Sequence, residues 1–271
     1  MSNLTLRLLS VAPLLPLLIL AIEWHNPVGV WWIVLAATAL ALREWMAIAL
    51  PGARPHERWF GIAWGCALAG TFYSHSAALP FALAAATLAT FLFFLFSIGE
   101  MATVAGRVSG ALAGYLYIGL LLPFVALTQR DWGGGWVYLM LTATWFSDTG
   151  AYFAGRFLSP YWPRKFYESV SPKKTVVGAF GGLLATYGAL VLAKLWYLPS
   201  LSWSDTVLIA VPANVLGQLG DLCESLIKRS VAVKDSGALL PGHGGMLDRI
   251  DALLFVAPYI YCYARWVASS G

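Results

Sequence analysis

Residues 218–229 read Gln-Leu-Gly-Asp-Leu-Cys-Glu-Ser-Leu-Ile-Lys-Arg and set two acids and a base into an otherwise apolar stretch. On a helix, Asp221, Glu224, Ser225 and Lys228 fall at i, i+3, i+4 and i+7 and make one polar stripe. Such a stripe is costly against lipid and must face the protein interior. The bland alternative is an internal ion pair that serves packing. After Lys234 and Asp235, the chain runs Pro241-Gly242-His243-Gly244-Gly245-Met246-Leu247-Asp248-Arg249-Ile250-Asp251. Glycines there permit backbone shapes closed to other residues and close approach to a ligand. Asp248 and Asp251 share a face at the start of the last apolar span. An acid at a helix N-terminus is an ordinary cap, but capping does not account for the whole set.

Two further segments carry polar chemistry. In Trp145–Arg156, helical spacing puts Asp148, Tyr152 and Gly155 on one face. An Asp within a membrane helix costs about 2.5–3.5 kcal/mol on insertion scales, so it faces a wet or cationic interior or hydrogen-bonds between helices. Gly150, Ala151, Ala154 and Gly155 allow close helix approach. In Ser171–Gly182, Pro172 is expected to open a helix, with Lys173, Lys174 and Thr175 in its first turn. Free N–H groups there attract anions, so the paired lysines suit a phosphate. The alternative is ordinary positive flanking of a membrane span. The GxxxxGK[ST] pattern of a Walker loop is absent.

These carboxylates, cations and glycines are the groups that phosphoryl chemistry needs. Carboxylates hold a hard cation such as Mg²⁺ together with substrate phosphates. Lys and Arg neutralise charge on the transferred group. Two metals can clamp the attacking and leaving oxygens.

The elements that must position them are membrane helices. Of 271 residues, 59% are hydrophobic and 11% charged, against about 25% charged in soluble domains; mean hydropathy is +0.72. Nine apolar spans are expected at about 4–22, 28–49, 59–74, 77–97, 108–128, 133–157, 176–198, 206–228 and 249–268. The predicted fold is therefore all-α, a polytopic transmembrane helical bundle, since lipid leaves open chains no other way to satisfy the backbone. The third span is short and rich in Gly. The first contains Pro13 and Pro16, and no small-x-small site follows it, so it is read as retained. Residues 1–132 form an N-terminal packing and dimerisation region, and 133–271 a catalytic region. Cys66, Cys223 and Cys262 stand singly in apolar segments and read as small buried hydrophobes.

Orientation follows from the 17 Lys and Arg residues. With the N-terminus in the cytoplasm, Arg130, Lys194 and Arg265 fall outside and the other fourteen inside. Both long basic connections, about 156–175 and 229–248, then lie where nucleotides are. The net charge of +4 reports this orientation and not nucleic-acid binding.

The segment from Ser225 to Asp251 resembles the signature of the phosphatidate cytidylyltransferase family. It carries S-x-x-K-R-x4-K-D-x-G-x3-P-G-H-G-G-x2-D-R-x-D without a gap, across 27 residues. The segments around Asp148 and Lys173 resemble the family's other recurrent stretches in the same order. The resemblance covers roughly 133–268. It implies transfer of the CMP moiety of CTP to phosphatidate, giving CDP-diacylglycerol and pyrophosphate. It also implies Mg²⁺ dependence with room for a second metal, a homodimer, and an active site on the cytoplasmic face of a bacterial-type inner membrane. By position, Asp221, Asp248, Lys228, Arg229 and His243 are expected to be catalytic. Lys173, Lys174, Ser225, Lys234, Gly244, Gly245 and Arg249 are expected to bind substrate. Metal ligation is expected at Asp221 and Asp248, supported by Asp148, Glu224 and Asp251.

The nearest alternative is another CTP-using membrane lipid enzyme, of the polyprenol kinase type, which would transfer the γ-phosphoryl group. A CDP-alcohol phosphotransferase would show D-G-x2-A-R, which is absent. A transporter also places acids in helices, but two related halves with paired broken helices are not evident.

Overall fold

The computed structural model describes residues 14–50, 52–97, 99–239 and 244–270, with side chains as far as Val267 in the last helix. Residues 4–13 of the first expected span, and Pro241, Gly242 and His243, lie outside the described residues. The chain separates into two compact units, one of residues 1–127 with 235–249 and one of 128–234 with 250–271. The first unit thus takes in a stretch that the sequence reading places with the C-terminal region.

In the first unit, α1 is Leu14–Glu23, α2 Val28–Ala49, α3 Pro55–Ser74, α4 Leu79–Phe96 and α5 Val104–Gly114, which runs on into a π turn at Tyr115–Gly119. Pro55 occupies the first position of α3, where its missing N–H costs nothing. Glu57 reaches back to accept the Arg54 N–H at 3.2 Å. The Gly-rich character of the third expected span has a packing reason. Met46 and Leu42 of α2 press into the surface of α3 at Gly61 and Gly65, where a side chain would collide. Leu42, Met46, Leu68, Phe94, Tyr115 and Ile118 form the buried core. Glu57 is also buried, and it pairs with Arg107 and, at 3.0 Å, with Arg54.

α6, Pro123–Trp132, leads into the second unit. There α7 is Gly134–Leu158, β1 Lys165–Tyr167, β2 Ser171–Thr175, α8 Val176–Trp196, α9 Trp203–Ser230 and α10 Leu247–Ser270, the last counted from Ile250 onward in this unit. The backbones of α7 and α8 meet closely: a Cβ on Gly150 would lie 2.6 Å from the Gly181 carbonyl oxygen. α9 starts with a reciprocal cap in which the Asp205 N–H donates to Ser202 Oγ at 3.1 Å and the Ser202 N–H donates to Asp205 Oδ2 at 2.6 Å.

The expectation of a helix opened by Pro172 needs correction. Ser171–Thr175 is a strand, antiparallel to Lys165–Tyr167, with Lys165 opposite Thr175 and Tyr167 opposite Ser171. The helix begins at Val176, because Thr175 has extended backbone and its hydroxyl accepts the Gly178 N–H at 3.1 Å. Lys173 and Lys174 therefore stand on a strand ahead of the helix and not in its first turn.

The all-α membrane class is borne out. Val28–Ala49, Ser76–Phe96, Met101–Trp132, Val176–Trp196 and Trp203–Ser230 are long and apolar enough to cross a membrane. Pro55–Ser74, Gly134–Leu158 and Leu247–Ser270 have the length but fall short in composition. The expected count of nine spans is not established by this criterion. The outward faces are strongly apolar: Leu88, Phe91, Leu92 and Leu95 are exposed on α4, and Leu208, Val211, Val215 and Leu219 on α9. In water such stripes would be aggregation sites; in a bilayer they meet lipid. The chain is an integral membrane protein.

Candidate active site

Two clusters of polar side chains stand out, one in each unit. In the second unit, α9 divides by face. One stripe, Leu208, Val211, Val215 and Leu219, is apolar and exposed. A second stripe holds Asn214, Gln218, Asp221, Ser225 and Lys228, at spacings of four, three, four and three residues. Asn214 is buried and its Oδ1 accepts from Ser147 Oγ of α7 at 2.9 Å and from Gln218 Nε2 at 3.0 Å. These bonds tie α7 to α9 and fix the rotation of α9 about its axis.

That rotation carries Asp221 to β2. Lys174 Nζ lies 2.8 Å from Asp221 Oδ2 and donates to the Gln218 carbonyl oxygen at 3.2 Å. Ser225 Oγ donates to the other Asp221 oxygen at 3.3 Å. Farther along, Glu224 and Lys228 form a buried ion pair within the helix. The expected stripe is therefore present, organised as two pairs spaced by four residues. Asp251 of α10 is partly buried, and the charges of Asp221, Asp148 and Lys228 all act on it. Asp148 sits on an exposed face of α7. Lys173 and Lys234 are exposed, and Arg229 turns its guanidinium to the Val233 carbonyl oxygen at 2.9 Å.

In the first unit, the carboxylate of Asp248 accepts from the Gly245 N–H at 2.8 Å and from the Ser236 N–H at 3.0 Å. Asp248, the second residue of α10, thus ties back to the residues that precede the helix and does not act as its N-cap in these bonds. Gly244 has φ +80°, a left-handed conformation that favours glycine. Arg249 is exposed. His243 lies outside the described residues.

This unit also holds a residue that the sequence reading passed over. Glu44 of α2 is buried, and its carboxylate accepts from Ser236 Oγ at 2.8 Å, the Met246 N–H at 2.8 Å and the Leu247 N–H at 2.9 Å. A signal was available. Glu44 is a lone acid inside the apolar run 28–49, and an acid within a membrane helix is a functional candidate by default.

Among the described residues, no three His, Cys, Asp or Glu side chains are placed to hold a metal by themselves. The donors near Asp221 are nevertheless hard oxygens, and three carboxylates act on one region. This suits Mg²⁺, which takes one or two carboxylates and completes its shell with water and substrate phosphates.

Residues 5–267 match the family model described as the cytidylyltransferase family. The chain belongs to this family. A phosphatidate cytidylyltransferase of Bacillus subtilis is 42% identical over 151 residues, 54% of either chain. One from Thermotoga maritima is 38% identical over 151 residues, 54% of this chain and 55% of that protein. The chain thus spans about half the length of these two relatives. A phosphatidate cytidylyltransferase of Brucella suis is 32% identical over 281 residues, covering 97% of this chain and 94% of that protein. The cytidylyltransferase family model extends through the N-terminal helices, including α2 with Glu44, in the stretch read from sequence as a packing and dimerisation region.

Proposed function

We propose that the protein is a phosphatidate cytidylyltransferase, moving the CMP moiety of CTP to phosphatidate in the plane of a membrane. The observation that carries this reading is the cluster of Lys174 of β2 with Asp221 and Ser225 of α9, on a helix whose adjacent face is an exposed apolar stripe. It places paired opposite charges beside a hydrophobic surface, which suits a substrate with an anionic head and acyl tails. Family membership and the names of the relatives support the same reading.

In the reaction, a phosphatidate oxygen attacks the α-phosphorus of CTP. A new P–O bond forms, the bond to the bridging oxygen breaks, and pyrophosphate leaves with the electron pair. A phosphate monoester is largely anionic near pH 7, so no strong base is required. The work left to the protein is positioning and charge neutralisation. Lys174 contributes a cation held at a fixed place by Asp221 and the Gln218 carbonyl. Lys173, Lys234, Arg229 and Arg249 are exposed cations for phosphate groups, and Lys228 holds Glu224 in the helix interior. Asp221, with Asp251 and Asp148 nearby, would hold Mg²⁺, which supplies charge neutralisation on the phosphates when bound; for Asp248 a metal-binding role is implied by the signature alone. Gly244 and Gly245 shape the segment that follows His243. The homodimer, the inner membrane and the cytoplasmic orientation belong to this proposal.

Purified protein given CTP labelled in the α-phosphate, phosphatidate and Mg²⁺ should yield labelled CDP-diacylglycerol and equimolar pyrophosphate. Release of CDP with phosphorylation of an added polyprenol would overturn this reading in favour of the kinase alternative.

A further inference from the structure

We propose that Glu44 is a positioning residue that holds Ser236 and the pair Met246–Leu247 together in their working arrangement, an inference that rests on the function proposed above. The geometry is specific. One carboxylate in α2 collects a hydroxyl from one end of this arrangement and two backbone N–H groups from the other. The two ends are eight or more residues apart in sequence, and Glu44 is about 190–200 residues from both. Asp248 makes a second tie between the same ends, through the Ser236 and Gly245 N–H groups.

Two glycines pack directly against these groups. A Cβ on Gly245 would strike both Ser236 Oγ and Glu44 Oε2, and one on Gly237 would strike Glu44 Oε1. Every partner of the Glu44 carboxylate named here is a donor, so the site requires an acceptor-only group. An amide in its place would turn an N–H₂ toward a backbone N–H and lose at least one bond. A buried donor stripped of its acceptor costs more than the bond contributed. Glu44 thus acts through Ser236, Met246 and Leu247.

Glu44→Gln, Ser236→Ala and the double variant test this in detergent-solubilised protein. Hydrogen exchange should accelerate at least ~10-fold at Met246 and Leu247 in Glu44→Gln, with the helices of α4 and α8 unchanged. The kcat/KM for CTP should fall at least ~10-fold in Glu44→Gln and ~3-fold in Ser236→Ala. The double variant should fall no further than Glu44→Gln alone, since both changes break one unit. Multiplicative losses in the double variant, or exchange at Met246 and Leu247 that matches the wild type, would overturn the proposal. General acceleration of exchange across all helices would also overturn it, by showing a merely structural role. If Glu44→Gln fails to fold, Gly245→Ala takes its place in the same cycle and is held to the same outcomes. The exchange arm needs no turnover, so a wild-type protein inactive on CTP and phosphatidate would sink the proposed function and still leave the anchoring role tested.

Discussion

Lys174 of β2 and Asp221 of α9 meet at 2.8 Å, forty-seven positions apart in the chain. The ammonium is held a second time by the Gln218 carbonyl oxygen, whereas the neighbouring Lys173 is exposed. The two lysines, adjacent and chemically alike, are thus separated by the alternation of a strand.

That separation predicts different kinetic effects. Lys174→Gln should lower kcat/KM for CTP or phosphatidate at least ~10-fold, about 1.4 kcal/mol in transition-state stabilisation. Lys173→Gln should cost less than ~3-fold. Steady-state kinetics on each variant, with both substrates varied, checks this. Equal losses for the two would remove the special role assigned to Lys174.

Asp221→Asn keeps the size of the side chain and removes its charge. Turnover should fall below detection at ordinary Mg²⁺, while circular dichroism and gel filtration in detergent match the wild type. Excess EDTA should abolish wild-type activity, and Mg²⁺ should restore it. Wild-type-like turnover by Asp221→Asn would remove Asp221 from the metal assignment.

Glu57 makes the opposite kind of prediction. It is buried with Arg107 and Arg54, in the unit that holds the Glu44 anchor. Glu57→Gln leaves Arg107 without its carboxylate, a change that costs about 3–5 kcal/mol when one partner of a buried pair is lost. Thermal unfolding in detergent should show a clear drop in midpoint. The kcat of the fraction that remains folded should stay within ~3-fold of wild type.

Topology can be read at Glu168, an exposed residue in the turn between β1 and β2. A single cysteine placed there should react with a membrane-impermeant maleimide only in inverted vesicles. Reaction in intact cells would reverse the orientation inferred from fourteen basic residues against three.

How much of this was legible beforehand depends on distance along the chain. The stripe Asp221–Ser225–Lys228 was readable because helical periodicity is local: residues three and four apart must share a face. The Glu44 anchor was not, because its partners lie about 190–200 residues on and no pattern in α2 announces them. Pro172, a good first helical residue, points to a helix that would contain Lys173 and Lys174. The pairing of Lys165 with Thr175, ten residues apart, makes the stretch a hairpin strand, and the Thr175 cap then starts the helix at Val176; helical spacing within 171–182 does not register a strand pairing of that reach. Among the described residues, five helices meet the criterion of length and apolar composition, fewer than the nine spans expected, for a related reason. Helices such as Gly134–Leu158 mix apolar and polar residues because one face is turned to the protein.

The contact between α7 and α8 has one further consequence. Where Gly150 lies against Gly181, and Ala154 and Ala185 stand beside them, the surfaces that meet have no rotatable side chains. Joining them freezes no rotamers, and separating them would release none, so side-chain entropy gives the pair no reason to breathe. Thr175, the cap of α8, is the residue next to Lys174. The cation is therefore mounted at the end of a stiff strut, and motion during turnover falls to the substrates and to segments that lack such a seam.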